Sequence, residues 1–220
     1  IKPKTLRYVF QSTDGLSSRT ISYTMTILGS ILEQAVKDDI IPKNYMKNID
    51  RPKQVKVRHM VTLSVDEVKN FLSNISNVEH HALFKLAFAT GMRRSELLGL
   101  RWSDIDFKNS TISISQTALK IGSTAVISNT TKTTSSKRII AIDTETLQEL
   151  MKHKTVIDKR RIKTMNWINN NLVFPGIKGA PRCPDEVSRL CKKYASLIGK
   201  PAFTMHGTRH THATLLIENG

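Results

Sequence analysis

The first stretch suited to phosphate chemistry combines two adjacent arginines with a carboxylate. Arg93 follows a Gly-Met pair, and Glu96 lies three residues further along. A planar guanidinium binds two phosphate oxygens at once, and a carboxylate at this spacing can orient it. A surface ion-pair cluster of Arg93, Arg94 and Glu96 would have the same spacing. Spacing alone favours that second interpretation.

A second stretch, residues 131–142, places Lys132 in a polar segment between two predicted strands. A lysine in such a turn can reach over a groove and donate a proton to a leaving oxygen. Taken alone, the pattern is more typical of a solvated turn lysine.

The third stretch brings imidazole and guanidinium groups together. His206 and Arg209 are three residues apart and would share a helix face. The arginine can stabilise charge on a phosphate while the histidine moves a proton. Alternatively, His210 and His212 are hydrogen-bonded helix residues, or His206 and His210 bind zinc. The zinc alternative lacks the Glu of H-E-x-x-H and a third ligand, so we predict no metal site.

The elements that must position these residues are mostly helical. Apolar periodicity, a capping box formed by Ser64 and Glu67, a closing Gly91 and an opening Pro184 predict helices over 17–39, 65–75, 78–90, 95–100, 144–163, 184–199 and from about 206 onward. Segments rich in Ile, Thr, Ser and Val predict strands at 111–117, 124–129 and 137–142. We therefore expect an α+β fold, mainly α with a small antiparallel sheet.

The charge of the chain indicates a polyanionic partner. Lys and Arg number 34 against 18 Asp and Glu, which gives a net charge of +16 with His neutral. So large an excess favours nucleic acid. No run has the length and apolarity of a membrane helix. Cys183 and Cys191 have neither a disulfide-framework nor a zinc spacing, which favours a reducing cytoplasm.

Taken together and in this order, the three stretches resemble the tyrosine recombinase family, which includes phage and conjugative-transposon integrases. Residues 16–21 also resemble the start of a helix in the family's core-binding domain. The resemblance implies a partial helical core-binding domain at 1–50 and a basic linker at 51–62. It implies a catalytic domain at 63–220 that lacks its C-terminal nucleophile segment.

The resemblance also implies a role for each site residue. Arg93 and Arg209 would clamp the scissile phosphate, His206 would assist proton movement, and Lys132 would be the general acid. Glu96 would support the site, and no cofactor or metal is implied. The DNA contacts expected with this reading are Arg19, Thr20, Tyr23, Arg51, Lys53, Lys56 and Arg58.

The implied reaction is site-specific recombination through a 3′-phosphotyrosine intermediate. The implied partners are double-stranded DNA at attachment or transposon-end sites and three further copies of the full-length protein, in the bacterial cytoplasm. All four tyrosines precede His206, so we expect a chain truncated at both ends that cannot cleave DNA by itself. A non-catalytic DNA-binding regulator is the alternative function. An RNA-binding protein is disfavoured because only 6% of residues are aromatic.

Overall fold

The computed structural model of the protein describes residues 4–5, 8, 10, 15–53, 60–128 and 138–218. The chain divides into two compact units, Ile1–His59 and Met60–Gly220. Among the described residues, no helix has both the length and the apolar character that crossing a membrane requires.

The first unit is built on one long helix, α1, which spans Ser18–Lys37. Its N-cap is Ser17, whose hydroxyl oxygen accepts a 3.2 Å hydrogen bond from the Thr20 backbone N–H. The helix ends two residues before the predicted position 39, because Asp39 adopts a φ of 54°. A short 3₁₀ helix, Tyr45–Asn48, follows. The small core of this unit contains the buried side chains of Met25, Leu32 and Met46.

The second unit contains a short 3₁₀ helix, Trp102–Asp104, and six α-helices in its described part. They are α2 (Val65–Ser73), α3 (Val78–Thr90), α4 (Arg94–Gly99), α5 (Thr144–Lys163), α6 (Pro184–Leu197) and α7 (Met205–Glu218). The predicted capping box opens α2. The Ser64 hydroxyl oxygen accepts from the Glu67 N–H, and the Glu67 carboxylate accepts from the Ser64 N–H at 2.9 Å.

The strands form two small antiparallel sheets. Strands β1 (Ile105–Asp106), β2 (Thr111–Ile114) and β5 (Arg138–Ala141) pair in the order β1-β2-β5. Strands β3 (Thr117–Ile121) and β4 (Thr124–Ser128) form a separate pair. The predicted fold class, mainly α with a small antiparallel sheet, is confirmed.

The prediction of one strand over residues 111–117 is wrong, because the chain changes sheets within it. Between β2 and β3, the buried Gln116 amide donates a 2.6 Å hydrogen bond to the Gly99 carbonyl oxygen. The backbone of Thr117 also lies so close to Gly99 that a Cβ added to Gly99 would be 2.8 Å from Cα of Thr117. These two contacts hold the segment against the end of α4 and prevent β2 from continuing.

Helix α3 lies at the centre of the second unit. Its side chains Leu83, Phe84, Leu86 and Ala87 are fully buried, and it packs against α5 and α7. Phe71 of α2 makes an edge contact with Phe84, with ring centroids 5.2 Å apart. The burial of these apolar side chains fixes the end of α3, where the segment that contains Arg93 and Glu96 begins.

Candidate active site

A left-handed glycine ends α3 and turns the chain toward Arg93. Gly91 has a φ of 57°, and its N–H donates a 3.1 Å hydrogen bond to the Ala87 carbonyl oxygen. A Cβ at this position would lie 2.6 Å from Cδ2 of His212, so glycine is required both by the backbone and by the space available. Arg93 follows in an extended conformation as the N-cap residue of α4.

Glu96, in the first turn of α4, binds two arginines with one buried carboxylate. Its side chain is only 4% exposed. The backbone N–H and Nη1 of Arg93 donate to it at 2.8 and 2.9 Å. Nη1 and Nη2 of Arg138, the first residue of β5, donate at 3.1 and 2.8 Å. Each carboxylate oxygen therefore accepts two hydrogen bonds, which uses the full accepting capacity of the group.

The charge state of Glu96 follows from these bonds. Burial acts to raise the pKa of Glu96, but the hydrogen bonds from Arg138 and Arg93 outweigh it and hold the pKa below its ordinary value. The carboxylate is therefore ionised at neutral pH. The Arg93 guanidinium, with its side chain 57% exposed, remains open to solvent on the other side.

Helix α7 contacts the Gly91 turn through two side chains. Nη1 of Arg209 donates a 2.7 Å hydrogen bond to the Gly91 carbonyl oxygen. Nδ1 of His212 lies 2.9 Å from the Phe88 carbonyl oxygen, so this nitrogen carries the proton. Burial lowers the pKa of Arg209, and the nearby charges of Arg93 and Arg138 lower it further.

The arginines open onto a cleft of about 390 Å³. Its walls come from the Gly91 turn, α4, α6 and the start of α7: Met92, Arg93, Arg94, Ser95, Ser188, Thr204, Met205, His206 and Arg209. His206 is exposed here, and its ring meets that of His210 edge-on with centroids 4.6 Å apart. Three guanidiniums, those of Arg93, Arg94 and Arg209, therefore line the cleft together with an imidazole, a combination suited to a phosphate group.

Residues 62–220 match the protein family described as the Phage integrase family. The chain belongs to this family, the tyrosine recombinases of the integrase type. It is 28% identical over 94% of its length to the XerC-like tyrosine recombinase of Caldanaerobacter subterraneus subsp. tengcongensis, and spans 57% of that protein. It is also 28% identical over 94% of its length to the ICEBs1 integrase of Bacillus subtilis, of which it spans 56%.

A solved structure of the Tn1549 transposon integrase, in complex with circular intermediate DNA, has the same fold. It superposes with a TM-score of 0.80 at 24% sequence identity, covering 100% of this chain and 74% of that one. The chain spans a little more than half the length of the two curated relatives named above.

The candidate site brings three of the sequence-predicted residues together. Arg93, His206 and Arg209 line one cleft, and Glu96 lies behind it. Lys132 falls outside the described residues, as do Lys56 and Arg58. The remaining predicted DNA contacts lie in the first unit: Arg19, Thr20, Tyr23, Arg51 and Lys53. No group of three His, Cys, Asp or Glu side chains in the described part of the chain is placed to hold a metal ion.

The sequence alone does not identify the partners of two residues at the candidate site, Arg138 and His212. Arg138 stands where a strand was predicted, and its partner Glu96 is 42 positions away. His212 is a hydrogen-bonded helix residue, as the sequence predicts, and its partner Phe88 is 124 positions away. Neither pairing has a local signal, because both depend on which elements pack together.

Proposed function

We propose that the protein is a site-specific DNA recombinase that cleaves and rejoins strands through a 3′-phosphotyrosine intermediate. The observation that carries the proposal is that Arg93 and Arg209 open onto the same cleft as His206. The pairing of the Glu96 carboxylate with two arginines supports it. The guanidiniums of Arg93 and Arg138 offset the negative charge of Glu96, which would otherwise repel a phosphate in the cleft.

The proposed chemistry follows from the residue types. A tyrosine oxygen attacks the phosphorus, and the bond from phosphorus to the 5′-oxygen breaks. Two guanidiniums stabilise the negative charge that builds on the phosphoryl oxygens. His206 assists proton movement at the nucleophile, and Lys132 gives a proton to the departing 5′-oxygen. The covalent intermediate allows the 5′-hydroxyl of a partner strand to reverse the reaction.

We propose double-stranded DNA at the ends or attachment site of a mobile element as the substrate. The net charge of +16 supports electrostatic binding to DNA, with an affinity that falls steeply as the salt concentration rises. The exposed polar start of α1, with Arg19, Thr20 and Tyr23, would contact DNA together with Arg51 and Lys53. Recombination between two duplexes would require a tetramer of the full-length protein.

We propose that the nucleophilic tyrosine lies outside these 220 residues. Tyr194 is only 7% exposed, and its hydroxyl is 2.9 Å from Nδ1 of His80. Tyr8, Tyr23 and Tyr45 belong to the first unit. Tyr194, the one tyrosine of the second unit, does not line the cleft of Arg93 and Arg209. The chain alone would therefore bind DNA without cleaving it.

An assay for a covalent adduct tests this function. A nicked duplex carrying the candidate attachment site is incubated with this chain or with the full-length gene product, and SDS-resistant adducts are measured. We expect an adduct from the full-length protein only, lost in Arg93→Ala. The matched control is Arg161→Ala, an exposed arginine that lines a different cavity and is expected to retain activity.

Two outcomes would contradict the proposal. Salt-sensitive binding by both proteins with no adduct from either, on a verified cognate site, would favour the non-catalytic regulator. Stronger binding to single-stranded RNA than to duplex DNA in a competition assay would remove DNA as the proposed substrate.

A further inference from the structure

Arg138 binds the Glu96 carboxylate through two hydrogen bonds from one guanidinium. Both terminal nitrogens of its guanidinium donate, one to each carboxylate oxygen, at 3.1 and 2.8 Å. A two-point contact of this kind fixes the plane of the carboxylate as well as its position. The backbone of Arg138 is itself fixed, because Arg138 pairs with Ile114 in the β2–β5 ladder.

The two arginines that bind Glu96 differ in how much of the guanidinium group remains free to bind a ligand. Both guanidinium ends of Arg138 bind Glu96, and its side chain is 30% exposed. Arg93 uses its backbone N–H and a single terminal nitrogen, and its side chain is 57% exposed. Arg93 is thus the arginine presented to a ligand, and it lines the cleft, whereas Arg138 does not.

We propose that Arg138 is a positioning residue of the recombinase site, which fixes the Glu96 carboxylate and, through it, Arg93 in the orientation that receives the phosphate. This inference rests on the proposed function. Without Arg138, the carboxylate retains only the bonds from Arg93 and can rotate with it. Burial then favours the protonated acid, which has one less acceptor for the Arg93 guanidinium.

Arg101 provides a matched control for the loss of an ion pair. Its Nε and Nη2 donate to the Asp104 carboxylate at 3.0 and 2.9 Å, and its side chain is 36% exposed. This pair resembles that of Arg138 with Glu96 in geometry and burial, but Arg101 does not line the cleft. Arg101→Gln therefore reports what losing such a pair does to folding alone.

The first experiment follows Glu96 without DNA. Carbon-13 NMR of the glutamate side-chain carboxyls, assigned through Glu96→Gln, gives the titration of Glu96 in the present chain. We expect Glu96 to titrate at higher pH in Arg138→Gln than in wild type, with Arg138→Lys between them and Arg101→Gln unchanged. A Glu96 titration that is the same in Arg138→Gln and wild type would overturn the positioning role.

The second experiment measures adduct formation by the full-length protein on the nicked duplex from pH 6 to 8. We expect Arg138→Gln to lower the rate on the order of 10- to 100-fold, because a misplaced catalytic group costs about that much. The loss should grow as the pH approaches the value at which Glu96 titrates in the first experiment. Arg138→Lys should recover part of the rate, and Arg101→Gln should stay near wild type.

The two proposals fail in different ways. An Arg138→Gln rate that matches Arg101→Gln, or a loss that is equal at every pH and is not recovered by lysine, would overturn the positioning role. Absence of any adduct with the wild-type full-length protein would instead overturn the proposed function. The Glu96 titration would still show whether Arg138 controls the carboxylate.

Discussion

Nη1 of Arg209 lies 2.7 Å from the carbonyl oxygen of Gly91, so one proposed phosphate-binding arginine is bonded to the turn that presents the other. Arg93 follows Gly91 by two residues, and the position of each guanidinium therefore depends on the same short piece of backbone. Helix α7 also touches this turn through His212. A disturbance of the turn should consequently affect both arginines together.

Replacing Gly91 by alanine should destabilise the second unit strongly. The left-handed φ of 57° costs a residue with a Cβ about 1–2 kcal/mol, and the overlap with the His212 ring adds about 1–3 kcal/mol. Gly122→Ala is the matched control, since Gly122 has a φ of 60° with nothing within 4 Å of an added Cβ. Urea unfolding should give a larger loss for Gly91→Ala, and equal losses would mean that the His212 contact costs nothing.

Much of the helical framework could be predicted because its signals are local. The Ser64–Glu67 capping box and the Gly91 stop each depend on residues within one or two turns of the helix. The contacts of Arg138 could not be predicted, because its partner comes from another element. The error over residues 111–117 has the same origin, since Gln116 leaves the strand to bind the distant Gly99 carbonyl.

Replacing Arg209 by lysine should reduce adduct formation by the full-length protein while leaving the fold intact. Lysine keeps the charge but lacks the planar fork that can bind a phosphate and the Gly91 carbonyl at once. We expect a loss of about 10²- to 10³-fold in rate, the range for removing one charge-stabilising donor. Arg161→Lys is the control, and a near-wild-type rate for Arg209→Lys would argue against simultaneous binding of the phosphate and the Gly91 carbonyl by Arg209.

Replacing Glu79 by glutamine should destabilise the second unit by about 3–5 kcal/mol, the cost of leaving a buried charge without its partner. Glu79, with a side chain only 7% exposed, pairs with the buried Arg182 and with Arg160. Asp158→Asn is the control because its pair with Lys154 is 43–46% exposed, and exposed pairs contribute about 1 kcal/mol or less. Similar unfolding free energies for the two variants would contradict the prediction.

Cys191 should resist thiol reagents until the second unit unfolds. It is fully buried, and burial raises the pKa of its thiol to about 12. Only about one molecule in 10⁴ would carry the reactive thiolate at pH 8. We expect DTNB to label native Cys183→Ser no faster than that variant unfolds and to label it fully in guanidinium. Rapid labelling of native Cys183→Ser would show that Cys191 is accessible.

His153 should make the second unit less stable as the pH falls below 6.5. Its side chain is fully buried, and its Nε2 lies 2.6 Å from the Val173 carbonyl oxygen, to which the neutral ring donates. Burial lowers the pKa of His153 from its ordinary value of 6.5, against the opposing effect of that hydrogen bond. Below pH 6.5 the unfolded chain therefore binds a proton that the folded chain does not, and stability is lost until the folded pKa is reached.

Urea unfolding of wild type and His153→Phe between pH 5 and 8 measures this effect. One such group contributes a slope of up to about 1.4 kcal/mol per pH unit. We expect the wild-type free energy of unfolding to fall more steeply below pH 6.5 than that of His153→Phe, whatever the difference at pH 8. Some slope should remain in the variant, because burial and the charge of Arg182 also lower the pKa of His80. Parallel curves would mean that His153 accepts its proton equally well in the folded and unfolded chains.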